Sequence, residues 1–275
     1  MTDFGNACSG FNAEEIAELA AIASTYLSAG GMVVKLSNLL GSKIEGVIDE
    51  IPAALQNLVS DASDLALRGA YLAAAATQAD EASDSYFNRA MTYFKGERWH
   101  KIATGLSGAV GGAGGLATTA AELAATTTLI MRSIQQIASE YGEDIQSEDV
   151  RVQCLAVFGF GGPLTEDDDV ETGLYGVRMA LATSKTLETV LKVVLPRFGV
   201  VVTEKVLAQA TPLLGAAAGA TINPMFTAYY QDMAHVHFRL RRMENLHDPD
   251  QIRACFERIV RSQRETRKRT KTVKP

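Results

Sequence analysis

The sequence predicts an all-α fold: a single multi-helix bundle with Gly/Ala-rich, closely packed central helices. Three observations carry this. Apolar residues recur at helical spacing along most of the chain, and no segment sustains period-two alternation. Helix-start devices precede those segments, at Asn12 with Glu15, at Ser147, at Asn223–Pro224 and at Asp248–Pro249. Two long uncharged stretches rich in Gly, Ala and Thr, residues 102–121 and 206–231, supply thin helices that approach one another closely.

Taken in order, Asn12 followed by Glu14 and Glu15 predicts a capping box and a helix to about residue 28. Gly30–Gly31 predicts a break, and Val33, Val34, Leu36, Leu39 and Leu40 a second helix. Pro52 precedes an Ala-rich helix over 53–78. Asp80 or Ser83 caps a helix carrying Tyr86, Phe87, Ala90, Met91 and Phe94. A helix over 117–141 is stopped by Gly142, and Ser147 caps another that ends at Gly159, Gly161, Gly162 and Pro163. An acidic loop or first helical turn, 165–171, leads to helices over 172–195 and 203–219. Asn223–Pro224 starts a helix to about residue 244, and Asp248–Pro249 starts the last, which frays into a basic tail. The β-prone run 198–202 lies between helical patterns. The expected organisation is an N-terminal helix or extension over 1–30, a helical domain over 31–247, and a C-terminal helix with a basic tail over 248–275.

Charge narrows the function classes. The net charge is −6, yet Arg261, Arg264, Arg267, Lys268, Arg269, Lys271 and Lys274 face one acid, Glu265, at the C-terminus. The tail is thus +6 and the rest of the chain −12. An acidic body does not suit nucleic acid, and no aromatic follows Phe256 to stack on bases. A solvated, disordered end is the expectation for the tail, with an anionic membrane surface as the alternative partner. Cys8, Cys154 and Cys255 are odd in number and far apart, which predicts no disulfide framework and a reducing compartment. The first fifteen residues lack the plan of a secretory signal. The expected location is cytoplasmic, with peripheral association with the inner membrane.

The two uncharged stretches pose a choice between membrane contact and close packing. Gly108 with Gly112, Gly111 with Gly115, and Gly215 with Gly219 each form GxxxG, leaving a groove on one helix face. Threonines at 118, 119, 126, 127 and 128, with Glu122, oppose deep insertion, since a mid-bilayer charge costs about 2.5–3.5 kcal/mol. Packing is the favoured reading, with peripheral lipid contact beside it.

Catalytic motifs are weak. The GxGxxA match at 112–117 has no preceding strand to make it a nucleotide fingerprint, and Ser107 lacks the strand of a nucleophile elbow. His235 and His237, two apart on a helix, point in opposed directions and cannot chelate one metal. The acidic run 166–171 lacks EF-hand spacing. No cofactor and no metal ligand set is expected. Cys154 reads as a small buried residue. Two polar groups interrupt otherwise apolar helices: Arg132, Glu140, Tyr141, Glu143 and Asp144, then Asn223, Tyr229, Gln231, Asp232, His237, Arg239, Arg241 and Arg242. Buried polar groups must be paired, so ion pairs are the default and a polar site at a helix junction the sharper alternative. The candidate ligand-binding residues are Glu122, Arg132, Glu140, Tyr141, Asn223, Asp232 and His237.

In serial order, NLLGSKIEGVIDEIP, WHKIATGLSGAVGGAGG, AAELAATTTLIMRSIQQIASEYGED, SEDVRVQCLAVFGFGG, TGLYGVRMAL, RFGVVVTEKVLAQATPLLGAAAGATINPMF and YYQDMAHVHFRLRRME resemble the bacterial EcsC family over about residues 35–245. The resemblance implies the helical fold and no defined reaction. The family's ADLP stands here as Ala121-Glu122-Leu123-Ala124, which keeps a carboxylate and loses the proline. Residues 99–101, Glu122, Arg132, 140–144, 204–205, Asn223 and 232–237 are the positions it marks for a shared role.

The leading expectation is a non-enzymatic protein that contacts membrane lipid or an apolar ligand through the Gly/Ala-rich helices. The alternatives are a hydrolase or metal-dependent enzyme with a site near Glu122, Glu140 and His237, and a scaffold that binds another protein.

Overall fold

Side-chain caps set the helix starts. Asn12 Oδ1 accepts from the N–H groups of Glu14 and Glu15, and the Glu15 carboxylate accepts from Asn12 N–H at 2.9 Å, completing the capping box. In this computed structural model residues 5–40, 53–79, 116–160, 174–183, 186–209 and 212–272 are described. After a 3₁₀ turn at Gly5–Cys8 come α1 (Ala13–Leu40), α2 (Ala53–Ala79), α3 (Leu116–Glu140) and α4 (Glu148–Ala156). A 3₁₀ turn at Val157–Gly159 extends α4 and is followed by α5 (Gly176–Thr183), α6 (Leu187–Gln209), α7 (Pro212–Glu244) and α8 (Pro249–Thr272). No strand occurs among the described residues, and the all-α bundle stands.

Gly142, at φ +82°, ends α3 as expected: its N–H bonds to Ser139 and that of Glu143 to Ala138. Ser147 Oγ accepts from Val150 N–H to open α4, and Asp248 Oδ1 accepts from Asp250 and Gln251 N–H to open α8.

Several breaks read from Gly and Pro are absent. α1 runs unbroken through Gly30–Gly31, so the 30/31 boundary falls inside a helix. α6 passes through Pro196 and takes in 198–202, and α7 passes through Gly219, Asn223 and Pro224. The single helix expected over 172–195 is two, α5 and α6. The basic tail is helical to Thr272 rather than frayed. Local propensity is a weak prior that tertiary packing overrides. The expected helix around Tyr86–Phe94 and the acidic run 165–171 lie outside the described residues.

The fold is centred on α4 and its 3₁₀ turn, where every residue from Val152 to Phe160 is buried. A short helix buried all round belongs in a core. α2 packs on α3 and α6, and α7 on α1, α3 and α6. Phe158 meets Phe198 of α6 and Tyr230 of α7 with ring centroids 5.4 and 4.9 Å apart.

Cross-links between helices define their directions. Glu18–Arg239 and Glu15–His247 make α1 antiparallel to α7. Ser133–Gln231 and Glu143–Arg241 make α3 parallel to α7. The Cys8–Cys255 disulfide, Gln263 to the Ala20 carbonyl and Arg267 to the Ser24 carbonyl make α8 parallel to α1. The C-terminal end of α1 and the N-terminal ends of α3 and α7 therefore lie at one end of the bundle, and α6 finishes there, just before α7 begins.

That disulfide corrects the expectation that no cysteines pair. Cys8 and Cys255 are separated by 247 residues in sequence, with Cα atoms 4.8 Å apart. Cys154 remains a buried free thiol, as expected, and burial pushes its pKa up.

Candidate functional site

The C-terminal half of α7 carries buried and half-buried polar side chains, and neighbouring helices reach in to meet them. His237, 1% exposed, lies at the centre. Its Nδ1 faces a guanidinium nitrogen of Arg178 on α5, and its Nε2 lies 2.9 Å from Gln153 Oε1 on α4. Arginine has only N–H donors, so Nδ1 must accept, and Nε2–H donates to the Gln153 amide oxygen. Both nitrogens are committed and the ring is neutral. Burial, then the Arg178 and Arg241 charges, hold its pKa well below the ordinary value.

Arg178 itself is pinned three ways. It donates to the His237 ring, to the His237 carbonyl at 3.1 Å and to the Glu244 carboxylate on the last turn of α7. Three residues before Glu244, Arg241 forks between Glu143 at 2.7 Å and Asp149 at 2.8 Å. Arg239 clasps Glu18 of α1 through two 2.8 Å bonds, and this charge-assisted bond holds the Glu18 carboxyl below its ordinary pKa. Deeper in the bundle Gln231 donates to Ser133 Oγ at 2.7 Å, and the Tyr229 hydroxyl to the Phe160 carbonyl at 3.2 Å. The junction joins α1, α3, α4 and α5 to α7.

The candidate residues scatter across this geometry. His237 is the hub. Tyr141 follows α3, and its hydroxyl meets His235 Nδ1 at 2.9 Å. His235 and His237 thus serve different partners, as their opposed directions require. Asp232 is half-buried on α7. Arg132 is half-buried on α3, where desolvation lowers its pKa. Glu140 is exposed at the end of α3. Glu122 and Asn223 are placed on α3 and α7 by their backbones alone. Eighteen residues of unbroken helix separate Glu122 from Glu140, about 27 Å at 1.5 Å per residue. No single site can include both carboxylates, so the triad of Glu122, Glu140 and His237 is not brought together. Among the described residues no group of three or more His, Cys, Asp or Glu is arranged to hold a metal ion.

Gly215 and Gly219 lie on α7, whereas Gly108, Gly111, Gly112, Gly115 and residues 99–101 lie outside the described residues. The residues that sequence reasoning missed are Gln153, Arg178 and Glu244, with Glu15 and Glu18 in α1. Gln153 lies between Val152 and Cys154, and Arg178 between Val177 and Met179. A lone polar side chain in an apolar helical run was the signal available.

Fold and junction define the class: an all-α bundle whose helices are tied together by polar side chains crossing its interior. Comparison with family models matches residues 14–243 to the EcsC protein family, and the chain belongs to that family. The match starts at Glu14 and so takes in α1, which the sequence resemblance left partly outside. No curated protein and no solved structure matches the chain significantly.

Proposed function

We propose that this protein acts by contact rather than catalysis, meeting membrane lipid or an apolar ligand through the small-residue ends of its central helices. One observation carries the reading: in sequence, the helix segments that meet at the end away from the polar junction carry almost no charge. α7 has no charged residue from Pro212 to Gln231, a run of about 30 Å. In the final turns of α1 and the first half of α3, Lys35 and Glu122 are the charges, joined by Glu204 and Lys205 near the end of α6. Ala, Gly, Thr and Leu dominate these stretches, and apolar groups of this kind gain by leaving water.

No helix among the described residues is long and apolar enough to cross a membrane. The contact proposed is therefore peripheral, with the threonines and Glu122 keeping it shallow. The cytoplasmic expectation leaned on unpaired cysteines, and the Cys8–Cys255 bond removes that support. Liposome flotation tests the reading: the protein should float with vesicles, or carry lipid through purification. A protein that stays at the bottom of the gradient with every vesicle and yields no lipid on extraction ends it.

The scaffold reading has one observation in its favour. Leu65 and Leu72, seven apart on α2, are 71% and 64% exposed, a two-residue apolar stripe on one helix face.

A further inference from the structure

We propose that the outer face of α2 is a self-complementary seam that pairs, antiparallel, with α2 of a second copy of this chain. The inference rests on the exposed leucines of the scaffold reading and names their partner. It is independent of the lipid reading.

α2 presents apolar side chains where a surface helix ordinarily presents polar ones. Leu65 and Leu72 are 71% and 64% exposed. Gly69, four residues after one and three before the other, is exposed beside them. A Cβ at Gly69 would meet nothing within 4 Å, so the backbone is open to close approach. Ala62, three residues before Leu65, is half-buried. Small residues at 62 and 69 and leucines at 65 and 72 thus recur with a period of seven. That is the a and d pattern of a coiled coil. The sequence of α2 continues it by one heptad, with Leu55 and Leu58. From 55 to 72 the seam is about 26 Å long.

Charge sets the direction. Asp61 and Arg68 each precede a small position of the seam, where charges decide how coiled-coil helices pair. In a parallel pair they would lie opposite Ala66 and Ala73 of the partner subunit. In an antiparallel pair with Ala62 opposite the partner's Leu65, Asp61 comes opposite the partner's Arg68, and the twofold repeats the contact. Arg68 is held in place for it: Nε donates to Asp64 at 2.9 Å, and Nη1 and Nη2 donate to Glu188 at 2.7 and 3.0 Å. Two of its five N–H groups remain for a further acceptor. The same register sets Gly69 opposite the partner's Leu58 and Leu72 opposite the partner's Leu55. Each layer then holds a leucine against a small residue or another leucine.

One helix face per copy falls short of the roughly 1,200–2,000 Å² of a standard interface. The dimer is accordingly weak and parts on dilution.

The test is sedimentation velocity of the full chain across concentration. It should be monomeric at about 1 μM and increasingly dimeric toward about 1 mM. Leu65→Glu with Leu72→Glu should weaken the dimer about tenfold or more. Unchanged circular dichroism verifies that this variant folds, since both side chains are exposed. Oxidation reports the direction: Leu55→Cys with Leu72→Cys in one chain should cross-link two copies, and Leu72→Cys alone should not. Cross-linking by the single variant as readily as by the double one overturns the antiparallel pairing. A chain that stays monomeric at about 1 mM overturns the second copy as partner. Thermal melting of the glutamate variant then decides the scaffold reading. Native stability leaves the leucines open to another protein, whereas lost stability means another part of the chain covers them, and the scaffold reading falls as well.

Discussion

His237 is a buried imidazole that must stay neutral, because the group facing its Nδ1 is a guanidinium that can only donate. In the unfolded chain the same side chain titrates at its ordinary 6.5. Below that pH the unfolded state binds a proton that the folded state refuses, so stability falls as pH falls. The slope reaches about 1.4 kcal/mol per pH unit for one such group. Glu18, whose pKa is lowered, contributes stability above its ordinary 4.5 that is lost only at more acid pH, outside this window. Urea midpoints at pH 7, 6 and 5 should therefore decline in the native sequence and flatten in His237→Gln; an equally steep decline in the variant refutes the assignment. Arg178→Ala should be among the most damaging single changes, at about 3–5 kcal/mol, because it strands Glu244 and an imidazole nitrogen in the interior. Arg178→Lys should not restore stability, since an ammonium lacks the planar fork that meets His237 and Glu244 together. Denaturant titration of both variants measures this.

At the scale of elements, the legible boundaries were those written within four residues. Asn12, Ser147 and Asp248 cap through their own side chains, and Gly142 takes a backbone angle that other residues resist. The boundaries misread were those where Gly or Pro stands within a packed helix: Gly30–Gly31, Pro196 and Pro224. A local cost of about 1–3 kcal/mol is offset by the packing of a whole helix, and packing is not written locally. The junction was half legible for the same reason. His237, Tyr141 and the arginines of α7 stand out as polar in apolar runs. Their partners Gln153, Arg178 and Glu18 come from 84, 59 and 221 residues away. The 3₁₀ turn after α4 shows how closely the elements approach. A Cβ at Gly159 would stand 3.0 Å from Val194 Cγ2 and 3.4 Å from the Val194 Cα. Gly159→Ala should thus push α6 off the turn and cost about 1–3 kcal/mol in chemical denaturation; an unchanged midpoint would mean that α6 shifts freely.

For the whole molecule the decisive cross-link is the one farthest apart in sequence. Cys8 and Cys255 are joined, and Cys154 is buried and free. A thiol reagent should find no reactive group in the native protein, one in urea and three in urea with reductant. Reduction should lower stability by about 2–4 kcal/mol, and a native preparation that labels at Cys8 without reductant would refute the bond. The polar end of the bundle, held by Arg178, Arg239 and Arg241, should remain the last to exchange its amide hydrogens; exchange that starts there would contradict the placement of its cross-links. The bond also turns the chain between its two sulfurs into a closed ring that contains nearly the whole bundle. One proteolytic cut within that ring makes two fragments that migrate together until a reductant parts them. Tension applied to the chain ends runs from one terminus to the other through sulfur, and the helices between are left unloaded.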